Sequence, residues 1–491
     1  MGSTGGDAMN RTASRATRRG APGRRVAVAY AILAAAIAVI AVIGTALQPS
    51  YGSLPPEGGV SVLDLRSAPT PTGWSLDLGA VFAPGVPGSC LSFQSGALSP
   101  TLELVSATVP ITSSTQENAL CSPGTSEVEG RLAAIDPRTG HPQWLRSLGG
   151  DLNTTVSSLV WHRSAASGDI VVGVNGSRGA FLVDLDGRTG RLIDSAQVDS
   201  PDAAINFAVE GNLVLSAEPD AGGALEVYEL RDARHLSKKI WSKQLTSSAQ
   251  PQLLPDRLIV PLSPGTVSVD GRTGRETPWA SDLTGIEGAR VVDGGILGVT
   301  IPQGVGLGSF VELLDADGKS VWQVPALAVS SLESSRSCIT MTSVTSKLTC
   351  IAPKTGDERW SVDFTGLTDG TPEGSTTDDI ATIGPVKTGD TTLRIVTLDG
   401  ATGATRATAV IPRGSDVVAE SIATGFALDA STARGRSSLT AFDLSSGRTL
   451  WSISAGTIQH WGARFVEIDA TGVAYELVDG RADPSHDMLG G

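Results

Sequence analysis

Five histidines, His141, His162, His235, His460 and His486, are scattered along this 491-residue chain, and no two stand at a metal-ligand spacing. A zinc site takes Cys or His at short fixed intervals, and none of the four cysteines has a Cys-x-x-Cys partner. Asp184-Leu185-Asp186-Gly187 and Asp315-Ala316-Asp317-Gly318 begin like a calcium loop, which needs an acidic ligand at its twelfth position. Those positions hold Ser195 and Ala326, so both runs read as turns. No Gly-x-Ser-x-Gly elbow, Walker loop or His-Glu-x-x-His helix occurs, although a site assembled from separated loops would carry no such signature. The cysteines point to disulfide chemistry. Cys338 and Cys350 are symmetric about Val344, so a hairpin turning there sets them roughly opposite each other, while Cys90 and Cys121 bracket a Ser/Gly/Pro-rich stretch. The expected bonds, among three possible connectivities, are Cys90 to Cys121 and Cys338 to Cys350. The first closes a loop of about 30 residues, worth on the order of 3 kcal/mol in the loop-entropy treatment.

The elements that would position any such chemistry come from a recurring phrase, Asp-x-x-Thr-Gly with Trp four places after the Gly. It is complete at Asp136, Thr139, Gly140 and Trp144, and Asp443 with Gly447 and Trp451 repeats it with Ser446 for the Thr. Gly356 with Trp360 has lost the Asp, Gly318 with Trp322 closes a turn one residue shorter, and Gly274 reaches Trp279 one place late. Asp186 with Gly190, and Asp399 with Gly403, have Asp194 and Ala407 where the ring would be, and a worn copy lies between Val227 and Trp241. The Gly positions step by 50, 84, 44, 38, 47 and 44 residues, and 84 is two steps of 42. That is the period of a propeller blade. β-prone residues flank every copy, so each is a hairpin: Asp and Thr bond nearby amides and Gly supplies the positive φ of the loop. A large ring at one place in each outer strand is expected to wedge against the next blade, which makes these Trp residues structural. The fold class expected is all-β, a propeller of about eight four-stranded blades over residues 60–480.

Ahead of the repeats, residues 1–25 form a basic tail with Arg11, Arg15, Arg18, Arg19, Arg24 and Arg25 against Asp7. Residues 26–47 follow as 22 uncharged positions rich in Ala, Val, Ile and Leu. At 1.5 Å per residue they span about 33 Å, enough for a bilayer core and longer than the apolar part of a cleaved signal. The Arg-rich flank puts the tail in the cytoplasm and the large domain outside, at the plasma membrane. No Cys follows the span where a lipid-modified one would sit. The chain carries −14 overall. Removing the tail's +6 and −1 leaves 31 basic and 50 acidic groups, a net −19 over residues 48–491, which argues against a nucleic-acid partner.

Residues 48–59 read as a Pro- and Gly-bearing linker, 60–65 and 74–78 as strands, and 481–491 as a C-terminal tail. The segment at Trp74 resembles an outer strand, so the N-terminal residues are expected to complete the last blade and remove an open edge. Residues 83–130 are the largest departure from the period and read as an insertion in the first blade, with a second long loop at 366–379. A last strand pair is expected at 465–469 and 472–477.

The phrase Ala134-Ile135-Asp136-Pro137-Arg138-Thr139-Gly140 through Trp144 resembles the tryptophan-docking motif of the quinoprotein dehydrogenase-like propellers, also called pyrroloquinoline-quinone-binding-like repeats. The family holds dehydrogenases and non-catalytic scaffolds, so the resemblance speaks to fold more than activity. Its dehydrogenases carry an adjacent-cysteine disulfide over the quinone, a calcium or lanthanide ion and a catalytic Asp. This chain has no adjacent cysteines, and Trp161 and Trp461, outside the docking series, read as structural. Its non-catalytic relatives include a Gram-negative envelope assembly lipoprotein that binds a protein partner by loops on one face. The reading is a membrane-anchored, bacterial, non-catalytic binding or scaffold module with no cofactor, no metal and no catalytic residue, binding an envelope protein partner by a loop face. The alternatives are a quinone-dependent oxidoreductase using pyrroloquinoline quinone with calcium, and an envelope carbohydrate binder.

Overall fold

The computed structural model describes residues 60–480 except 100, 109–128, 165, 220–224, 247–249, 263–264, 293–294, 301–308, 327–328, 335–337, 344–346, 364–371, 375–378, 386–391, 413, 422 and 430–435. The basic tail, the apolar span at 26–47, the linker and the C-terminal tail therefore lie outside the described residues. Among the described residues no helix is long and apolar enough to cross a membrane.

Antiparallel strands succeed one another in chain order and form the blades of an all-β propeller. Blade 1 contains Ser92–Ser99, Leu102–Thr108, Arg131–Asp136 and His141–Ser147, and blade 2 contains Val156–Arg163, Ile170–Gly176, Gly179–Leu185 and Leu192–Val198. Blades 3 to 7 repeat the plan over residues 207–246, 252–278, 286–326, 329–363 and 372–412. Blade 8 (Asp416–Glu420, Thr424–Asp429, Ser437–Asp443, Thr449–Ala455) gains a parallel strand, Val60–Ser61, on its inner edge. The last sheet combines Thr457–Trp461, Arg464–Ile468 and Val473–Glu476 with Ser75–Asp77 from the other end of the chain, Ser75 facing Tyr475 and Asp77 facing Val473. Among the described residues there are eight four-stranded sheets, in line with the expected propeller of about eight four-stranded blades, together with the five-stranded sheet of blade 8. The last unit escapes a count of turns because its outer turn is split between the chain's two ends.

The predicted closure is present, with narrower strands than expected. Only Val60–Ser61 of residues 60–65 is strand, and Trp74 stands just before Ser75–Asp77. Residues 62–66 instead cross from blade 8 to the last sheet: Leu63 N donates to Ala463 O at 2.9 Å, Thr424 Oγ1 to Asp64 at 2.7 Å, and Arg66 pairs with Asp443 at 2.6 Å. Two-residue strands at Pro69–Thr70 and Val478–Asp479 then pair the ends. Much of the apparent insertion at 83–130 is scaffold, because Ser92–Ser99 and Leu102–Thr108 are the inner strands of blade 1. What exceeds a blade is the short Leu78–Phe82 helix, the turn at Gly88–Cys90 and the connection before Arg131. The 366–379 stretch likewise includes a strand, Pro372–Gly374, and the expected final pair is three strands of the last blade.

The core is a series of layers between blades. Leu104, Leu132 and Leu148 of blade 1 pack with Val172, Val174 and Leu185 of blade 2, and Val105, Ala133 and Ile135 pack with Trp461, Val466 and Ile468 across the closure. A bond joins Cys338 and Cys350 within blade 6, with Cα atoms 5.5 Å apart. Cys338 stands one residue before the strand Ile339–Ser343, and Cys350, on Lys347–Ile351, faces Thr340 in register. Cys90 is disulfide-bonded as well, and its expected partner, Cys121, lies outside the described residues.

Candidate functional site: the docking turns and the central cavity

Each repeat turn is built as its residue types require. Gly140 N donates to Asp136 O at 2.9 Å, Arg138 N donates to the Asp136 carboxylate at 2.9 Å, and Gly140 takes φ +69°. In the exposed turn at Asp270, hydrogen bonds from the Thr273 hydroxyl and then from the amides of Thr273 and Arg272 hold the carboxyl below its usual range. The Trp of one blade then docks on the turn of the next. Trp144 Nε1 donates to Gly187 O at 3.1 Å, Trp279 to Ala316 O at 3.0 Å, Trp322 to Pro353 O at 2.8 Å and Trp360 to Gly400 O at 2.9 Å. The rings lie on the glycines: a Cβ at Gly190, Gly318, Gly356 or Gly403 would stand within 2.8 Å of the indole. Glycine is therefore demanded twice, by the positive φ and by the ring above it.

The worn junctions use substitutes. Asp194 accepts from Leu236 N at 2.7 Å where blade 2 lacks its Trp, Trp241 donates to Glu276 at 2.9 Å, and Gly447 sits against Thr408 O beside the Ala407 position. Trp74 donates to Pro137 O and Trp451 to Leu65 O, both at 2.9 Å, which carries the series through the closure. Ring-on-glycine packing is seen for Trp74, Trp144, Trp279, Trp322 and Trp360, whereas Trp241 and Trp451 reach their neighbours by the hydrogen bonds just given. These residues assemble in pairs around the ring and form no common site.

The sequence motifs did not mark the cavity at the centre. About 590 Å³ in volume, it is lined by Gln94 and Ser95 of blade 1, Val160 and Trp161 of blade 2, Val418 and Leu428 of blade 8, and Gln459, His460 and Phe465 of the last blade. Ser95 Oγ and Trp461 Nε1 both donate to Gln459 Oε1, at 3.0 and 3.1 Å, and Gln459 Nε2 donates to Phe93 O at 3.1 Å, so this amide is fixed. Trp161 rests on Gly96, where a Cβ would stand 2.5 Å from its ring. Burial pushes the His460 imidazole below its ordinary pKa, which keeps it neutral at pH 7. Among the described residues the lining offers no ionised side chain, so a quinone tricarboxylate and its calcium ion would meet no counter-charge there. Of the two Trp residues outside the docking series, Trp461 is fully buried, stacked on Trp74 at 5.8 Å, and Trp161 faces the cavity. That second placement was the available signal.

Buried acids lie elsewhere. Burial raises Glu103 to about 8, partly offset by the hydrogen bond from Gly462 N. Asp184 of blade 2 is raised to about 7 by burial and then by Asp169 nearby. Both of its carboxylate oxygens lack a hydrogen-bond partner among the described residues. Among the described residues no group of three or more His, Cys, Asp or Glu side chains could hold a metal.

The sequence profile of the family described as outer membrane protein assembly factor BamB matches residues 128–293 and 264–478, from blade 1 to the last sheet. The chain belongs to this family. No curated protein sequence matches it significantly. Among solved structures, BamB from Moraxella catarrhalis is 13% identical, aligning over 72% of this chain and 93% of its own with a TM-score of 0.34. The dihydro-heme d1 dehydrogenase NirN is 13% identical over 67% and 72%, with a TM-score of 0.40. A eukaryotic initiation factor is 9% identical over 80% and 91%, with a TM-score of 0.48.

Proposed function

We propose that this chain is a non-catalytic scaffold, held at the plasma membrane by residues 26–47, whose extracytoplasmic propeller binds an envelope protein partner by one loop face. The observation that carries the reading is how the docking Trp residues are used. They lock blade to blade on the face that holds the Asp-x-x-Thr-Gly turns, so this face is committed to holding the ring. The opposite face carries the connections between second and third strands, the longest of which joins Thr108 to Arg131 in blade 1. A rigid frame with one committed face and one variable face suits presentation of loops to a partner. Membership of the assembly-factor family supports the role class. The uncharged stretch at 26–47 behind six arginines supports the anchor and its orientation.

The test is in-cell crosslinking of the full-length protein followed by affinity capture, beside a variant in which residues 109–120 and 122–128 are replaced by Gly/Ser residues and Cys121 is kept. One dominant crosslinked envelope protein, lost in the variant, is the expected result. Capture that survives the replacement would rule out this contact region, and absence of any specific crosslink would count against the scaffold role.

A further inference from the structure

We infer that the central cavity is a binding site for a neutral carbohydrate. This goes beyond the scaffold role and does not depend on it, since the loop face and the cavity use different residues.

The lining decides the ligand class. Its polar members are amides, a hydroxyl and a neutral imidazole, so a charged ligand would meet no counter-charge on entering. Gln94 and His460 make no side-chain hydrogen bond among the described residues, whereas Gln459 is held by three contacts and keeps one N–H to offer. Two unspent polar groups and one oriented amide thus converge where Trp161 supplies aromatic surface, backed by the buried Phe465. A pyranose ring matches that pairing: its C–H face packs on an indole, and its hydroxyls both donate and accept. A lipid tail would leave Gln94, Gln459 and His460 without partners. A peptide strand could pair only with the inner edges of blades 1 and 2 and the last blade, because the inner edge of blade 8, at Val418, already pairs with Val60–Ser61; the neutral proline-rich peptide in the test below covers that case. The volume falls within the roughly 300–1,000 Å³ range of small-molecule sites. The walls come from inner strands of four blades locked by their neighbours, and Trp161 is fixed by its seat on Gly96, so the site is formed before any ligand arrives.

The test is titration of the full-length protein with neutral trisaccharides, maltotriose, cellotriose and triacetylchitotriose, followed by calorimetry and intrinsic tryptophan fluorescence. Saturable binding of at least one, with a change in the Trp161 emission, is expected. Trp161→Ala should weaken it tenfold or more and Gln94→Ala several-fold, while His235→Ala, at the exposed start of the strand His235–Thr246, leaves it unchanged. If Trp161→Ala does not fold, Gln94→Ala, at an exposed position on its strand, carries the same comparison. No binding of any of the three, binding unaffected in the cavity variants, or equal or tighter binding of an anionic oligogalacturonate or a neutral proline-rich peptide would overturn the assignment.

Discussion

Removing one docking ring should weaken the whole propeller, and Trp360 is the place to measure it. Its side chain is 8% exposed, donates to Gly400 O at 2.9 Å and lies on Gly403. A Trp buries on the order of 200 Å², which at about 25 cal/mol per Å² corresponds to about 5 kcal/mol of transfer free energy. Measured truncations of large core aromatics fall at about 3–5 kcal/mol, so about 4 kcal/mol is expected for Trp360→Ala. Trp360→Phe keeps a ring against Gly403 but leaves Gly400 O without its donor, and about 1–2 kcal/mol is expected from the lost hydrogen bond and the smaller ring. Leu145→Ala, on an outer strand beside Trp144 and 45% exposed, is the control and should cost less than about 0.5 kcal/mol. Urea unfolding followed by circular dichroism gives the three values. An Ala variant within about 1 kcal/mol of the parent would refute the docking argument. A Phe variant as unstable as the Ala variant would show that the hydrogen bond, and not the ring, carries the junction.

Gly403→Ala tests the other side of the same contact: the new Cβ would stand 2.6 Å from Trp360 at φ +70°, so a loss of about 2–3 kcal/mol is expected in the same assay. Asp184→Asn should stabilise the protein at pH 8 by about 1–3 kcal/mol and leave it unchanged at pH 3. The folded pKa of Asp184 lies at about 7 against an ordinary 3.8, so the folded state favours the protonated acid. The cost of ionising it is absent below 3.8, grows between 3.8 and 7, and is constant above; Asp169, Asp194 and Asp232 oppose the ionised form and Arg234 favours it. A stability difference that does not change with pH would refute this. Replacing Cys338 and Cys350 by Ser should cost about 3 kcal/mol for a closure of 12 residues, read as a lower urea midpoint that reductant does not lower further at that pair.

The parts of this fold that are legible in the sequence are those whose physics is local. A turn such as Asp136 to Gly140 closes on its own amides, so its residue types announce it wherever it occurs, and the Trp four places on follows from the same register. The junction at Asp194 is less visible because a carboxylate accepting from Leu236 N does the work of an indole by different chemistry. The last sheet is hidden for a topological reason. Its outer strand and the turn that should precede it come from residues 65–77, nearly 400 positions from Val473–Glu476, so no single stretch of chain carries its motif.

Ring closure also explains why the cavity was not foreseen. Gln459 is oriented by Phe93 and Ser95, more than 360 residues away, and neither partner has any reason to be notable in its own strand. Trp161 and Trp461 stood out only by not belonging to the docking series, and the structure separates them by burial. Trp461 is spent on the core, where it stacks on Trp74 and steadies Gln459, whereas Trp161 keeps its ring at the cavity. Two residues of one type, equally unexplained by the repeat, thus serve the same centre at different depths: one fixes the amide and the other supplies the surface a ligand would meet. Changing Trp461 should therefore disturb the cavity through Gln459 and also loosen the closure, whereas changing Gln94 should weaken binding at the cavity and leave the ring intact.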